Sequence, residues 1–143
     1  MTESGTNPNA REIAERLLVY EAADPSAPAQ NTVPAMHVCQ KLGRPLSQLV
    51  GETGSRALLA RALTLAKREE EVLIPVKVSE QGALEGLEGK AAEASAVIVV
   101  ELIGLVLTFL GEALTIRLVR DVWPDRAASD MHFGERNGNE QAQ

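Results

Sequence analysis

At 143 residues the chain is long enough to bury one real core and short for two ordinary domains. A hydrophobic share of 45% with only 3% aromatic points to Ala/Leu/Val-rich helices, since β folds lean on aromatic and β-branched side chains. The net charge of −6 argues against sequence-independent nucleic-acid binding and against docking on an anionic membrane, and a single cysteine excludes an internal disulfide framework.

Residues 1–8 are polar and expected to be disordered. The opening MTESGTNPN has neither the basic nor the apolar region of a secretory signal, so the expected location is cytoplasmic, in keeping with the lone thiol. Asn9 followed by Glu12 reads as an N-cap with its capping-box partner. The spacing then predicts a helix to about Ala23, with Ile13, Leu17 and Tyr20 inside and Arg11, Glu15 and Arg16 outside. Asp24-Pro25 ends it, because proline denies the helical region to the residue before it.

A Pro/Ala/Gln/Asn linker over 26–33 leads to Pro34, suited to the first position of the next helix. Met36, Val38, Cys39, Leu42, Leu46 and Leu49 supply its apolar positions, while Gly43 and Pro45 predict a break into two short helices. The GETGS stretch at 51–55 looks like the front of a phosphate-binding loop. It is followed by Arg56 and Ala57 where that loop needs Lys and a hydroxyl, and a helix precedes it where a strand is required. The simpler reading is a glycine turn whose Thr53 or Ser55 caps the next helix. A small-anion site remains the alternative, built from free helix-start amides with Thr53, Gly54, Ser55, Arg56 and Arg61.

From Ser55 to about Val72 the pattern is strongly helical, with Leu58, Leu59, Ala62, Leu65 and Ala66 facing inward. Over 74–87 the register turns extended around Ser79 and Gly82, which leaves room for a small β-ribbon packed on the helices. One long buried helix is then predicted over 91–123, apolar nearly all round. Its few polar residues fall along one seam: Gly104, Thr108, Gly111 and Thr115, flanked by Glu101 and Glu112 eleven residues apart. Small residues at this spacing let another helix come close. That helix is either a neighbour within the bundle or part of a partner molecule. A membrane span is a third possibility, with Trp123, Arg117 and Arg120 at a headgroup boundary. Against it, Glu101 and Glu112 would lie about 16 Å apart along a straight helix, which submerges at least one of them. Residues 125–143 are expected to be a disordered tail in which Met131, His132 and Phe133 form no more than a short docking motif.

Catalytic chemistry finds little support. His37 and Cys39 are two residues apart and point to different helix faces, so they cannot share a metal. Cys39 on an apolar face reads as an inert core residue, and neither Ser47 nor Ser55 has a nucleophile-elbow setting. Glu101 and Glu112 are the candidates for perturbed carboxylates, with Arg56, Arg61 or Lys67 as expected partners.

The layout VCQKLGRPLSQLVGETGSRALLARALTLAK, a short turn, and VVELIGLVLTFLGEALTIRLVRDVWPD resembles an uncharacterised family of small helical bacterial proteins, over residues 38–125. The resemblance implies no activity, cofactor or site residue. The expected fold is all-α, a compact four- to five-helix bundle over 9–124 around the long helix at 91–123. The expected function is a non-catalytic interaction or regulatory module without a cofactor or metal. It would act through a protein partner or as a homodimer, using Glu101, Gly104, Thr108, Gly111, Glu112 and Thr115. Anion binding at 51–61 and membrane association are the alternatives.

Overall fold

The computed structural model describes residues 8–22, 34–80, 82–87 and 92–124, which form four α-helices and one two-stranded ribbon. The fold is all-α in character. In α1 (Pro8–Ala22), Ala10, Ile13, Ala14, Leu17 and Tyr20 recur at helical spacing and are buried, while Arg11, Glu12 and Glu15 stay in water. The helix takes Pro8 at its start, where a missing N–H costs nothing. Asn9 therefore lies inside the first turn and not at the expected cap, and its side-chain amide donates to Glu112 Oε2 at 3.2 Å.

α2 (Pro34–Glu69) is two arms, 34–50 and 52–69, that meet at Gly51 with φ 86° and ψ 159°, a conformation essentially reserved for glycine. Ser55 Oγ donates to the carbonyl of Gly43 at 3.5 Å, although twelve residues of straight helix would separate them by about 18 Å. The arms thus fold back on one another. The break predicted at Gly43 and Pro45 does not occur. Burial of Leu42 and Leu46 on either side offsets the one hydrogen bond that Pro45 cannot make. Ser55 reaches Gly43 instead of capping the second arm. That arm buries Leu59, Ala62, Leu63 and Ala66, with Leu58 and Leu65 half-buried.

A single 3₁₀ turn, Glu71–Leu73, leads to β1 (Lys77–Val78) and β2 (Leu84–Glu85), antiparallel with Lys77 opposite Glu85 and Val78 opposite Leu84. The ribbon falls inside the expected 74–87 window. Two residues per strand cannot stand alone, and Leu73, Val76, Leu84 and Leu87 anchor this stretch in the core.

The expected single helix over 91–123 is overturned: α3 (Ala92–Leu110) and α4 (Glu112–Val122) are separated by Gly111, at φ 89° and ψ 165°. A continuous helix across both would be about 47 Å long. A domain of this size is only roughly 35 Å across, so one end would have left the core. The break returns Ile116, Leu118, Val119 and Trp123 to the core. α3 packs most extensively on α2 and next on α1, and α4 contacts both α3 and α2.

The two breaks are alike. Gly51 and Gly111, sixty residues apart, share their backbone angles. Each follows two apolar residues (Leu49-Val50, Phe109-Leu110), precedes a glutamate (Glu52, Glu112) and has a hydroxyl four residues on (Ser55, Thr115). The burial pattern repeats at the same offset: Val38 and Ile98, Leu42 and Leu102, Leu46 and Val106, and Leu59 and Val119 are all buried.

Candidate functional site

The bend of α2 encloses a half-open cleft of about 880 Å³. Its floor is Cys39, Leu46, Leu59 and Leu102, all buried. Helical spacing brings one face of each arm to it, because Gly43 and Ser47 lie a turn apart on the first arm, as do Ser55 and Leu59 on the second. The ribbon closes one side: Arg56 Nη1 donates to the Glu80 carbonyl at 2.7 Å, and Ser79 Oγ accepts from the Ala83 N–H at 3.1 Å. Arg44, Glu52, Arg56 and Glu80 supply the charges around the opening. Burial pushes the Cys39 thiol up to about 12, so the group at the floor is a neutral thiol with no nucleophilic thiolate at neutral pH.

Of the residues the sequence nominates for an anion, Ser55 and Arg56 line this cleft, whereas Thr53, Gly54 and Arg61 do not. Arg44, Glu52 and Glu80 are lining residues that sequence reasoning missed. Arg44 comes from the arm expected to break before the turn, and Glu80 becomes a neighbour only when the ribbon folds over.

The seam at 101–115 is divided. A Cβ on Gly104 would sit 3.7 Å from the Cβ of Ala10, so α1 occupies that part. Thr108 is exposed, Gly111 forms the break, and Thr115 is buried. Both threonine hydroxyls donate back to their own helix, Thr108 to Gly104 O at 2.9 Å and Thr115 to Gly111 O at 2.7 Å. The carboxylates find partners other than those expected. Glu112 accepts from Asn9, and half-buried Glu101 meets Glu69 and Arg11 in place of Arg56, Arg61 or Lys67. Burial, the hydrogen bond with Glu69 and that residue's charge push Glu101 up to about 7, with Arg11 pulling the other way.

The most deeply buried carboxylate among the described residues is one the sequence did not single out. Glu21 Oε2 accepts from Trp123 Nε1 at 2.9 Å and pairs with Lys41 Nζ at 2.6 Å, linking α1, α2 and the end of α4. Trp123 is therefore a core residue packed near Tyr20, with ring centroids 6.3 Å apart, and no headgroup anchor in this fold.

Large apolar side chains are exposed at both helix breaks: Leu49 and Val50 before Gly51, and Phe109 and Leu114 around Gly111, with Phe109 67% exposed. Among the described residues α3 is the one helix long and apolar enough to cross a membrane, and half of its most apolar window is covered by the rest of the protein. No group of three or more His, Cys, Asp or Glu among the described residues is placed to hold a metal ion. His37 is half-buried, and Met131, His132 and Phe133 lie outside the described residues. No protein-family model, curated protein or solved structure matches the chain.

Proposed function

We propose that this protein is a non-catalytic interaction module that acts by protein contact, with a second copy of the chain as its partner. The observation that carries the reading is the exposed apolar edge at the α3–α4 break, where Phe109 and Leu114 stand in water beside exposed Thr108. A singly exposed apolar side chain is ordinary, and what supports a contact surface is that Phe109, two-thirds exposed in a chain with only two phenylalanines, is exposed at the same helix break as Leu114. The sequence-derived seam enters through its exposed member, Thr108. Gly104 and Glu112 are engaged by α1, and Glu101 by Glu69 of α2 and Arg11 of α1, within the chain.

Light scattering of the purified full chain over a tenfold concentration range tests the reading. The wild type is expected to run as a dimer, and Phe109→Ser and Leu114→Ser as monomers with helical circular dichroism unchanged. A wild type that stays monomeric, or serine variants that still assemble, overturns it. Retention of the chain in alkaline carbonate-washed membranes would replace it with a membrane role for α3.

A further inference from the structure

We propose that the cleft in the bend of α2 binds a small amphipathic zwitterion, of the class of apolar amino acids and dipeptides. A volume of about 880 Å³ lies in the range of small-molecule sites. The decisive feature is the rim. Two arginines, Arg44 and Arg56, and two glutamates, Glu52 and Glu80, share one opening, yet no salt bridge joins any of them. Arg56 spends one N–H on the Glu80 carbonyl, which holds the ribbon over the cleft, while among the described residues Arg44 and Glu52 have no side-chain partner. Opposite charges around a shared cavity, not paired with one another, are complementary to a ligand that carries both signs.

The balance of charge narrows the class. A nucleotide or other polyanion would gain from the arginines but meet Glu52 and Glu80 at close range, a like-charge cost that works against it. A zwitterion uses both sets: its carboxylate faces Arg44 and Arg56, and its ammonium faces Glu52 or Glu80. Below the rim, Leu46, Leu59 and Leu102 offer an apolar floor, which selects an aliphatic or aromatic side group. Neither Phe109 nor Leu114 lines the cleft, so the inference stands or falls apart from self-association.

Calorimetric titration of the full chain with leucyl-phenylalanine, its N-acetyl form, its C-terminal amide and inorganic phosphate tests the inference. Leucine-methyl NMR provides the location. The free dipeptide is expected to bind saturably and move the methyl signals of Leu46, Leu59 and Leu102. Each capped form should lose at least about tenfold in affinity, the loss expected for one charged contact of roughly 1.4 kcal/mol. Arg44→Gln and Glu52→Gln, both at exposed positions, should weaken the free dipeptide similarly with helical content unchanged. Arg44→Gln should leave the amide's affinity as it is, because that form has no carboxylate. No saturable shift up to millimolar dipeptide, equal binding of the capped forms, or tighter binding of phosphate at the same methyls would each overturn the proposal.

Discussion

Glu101 illustrates how a side chain's neighbours decide its chemistry. Its carboxyl, ordinarily near 4.5, is pushed up to about 7 by burial and by Glu69, despite Arg11. The folded state thus holds a proton there that the unfolded chain releases at lower pH. Stability from this group is present below about 4.5 and declines as pH rises toward 7, after which it is flat. The melting temperature is expected to be higher at pH 5 than at pH 7.5, and Glu101→Gln, which keeps the hydrogen bond without the charge, should reduce that difference. An unchanged pH profile in the variant would assign the dependence to other carboxylates. At this scale the apolar positions were well legible: Ile13, Leu17 and Tyr20 are buried as their spacing predicts. The carboxylates were not. Glu21 sits next to buried Tyr20 near a helix end and resembles any surface glutamate until Trp123 and Lys41 arrive from other helices.

Among the elements, two glycines carry the architecture. At Gly51 and Gly111 an added Cβ would meet nothing within 4 Å, so the cost of a side chain there is backbone strain alone. Gly51→Ala and Gly111→Ala are each expected to destabilise by about 1–3 kcal/mol. Gly43 provides the contrast. It lies inside a helical arm with open space around its Cα and no positive φ, and Gly43→Ala should stabilise by about 0.5–1 kcal/mol. Urea unfolding of the three variants checks the pattern, and equal losses at all three positions would refute this assignment of the breaks. The positions of the breaks were only partly legible. The residue pattern marks Gly51 as a turn, but it carries Gly111 inside a helix and puts a helix end at Pro45. Local propensity makes proline the stronger breaker, yet burial on both sides of Pro45 outweighs one missing hydrogen bond. The duplicated apolar-apolar-Gly-Glu signature at 49–52 and 109–112 was the available signal: a sequence that turns at the first has reason to turn at the second.

For the molecule as a whole, helices distant in sequence are tied through a few polar contacts inside an apolar core. Glu21, Lys41 and Trp123 join α1 to α2 and to the end of α4. Glu21→Ala removes both partners' acceptor, and since charged hydrogen bonds contribute about 1.5–3 kcal/mol, a loss of about 2 kcal/mol is expected. Trp123 is the one tryptophan, so its fluorescence reports both the unfolding midpoint and the solvation of this junction. A variant as stable as the wild type would show that Lys41 and the indole are satisfied equally well by water.

By itself the sequence determined the helical class, the faces of α1 and of the second arm of α2, and the ribbon window. These follow from periodicity, propensity and turn chemistry, which act over a few residues. Only the tertiary structure decided that the most apolar stretch is two helices, since that depends on core size and not on any local preference. The same holds for the cleft. Arg44, Glu52, Arg56 and Glu80 lie up to thirty-six positions apart, and only the reversal at Gly51 and the folding over of the ribbon bring their charges to one rim.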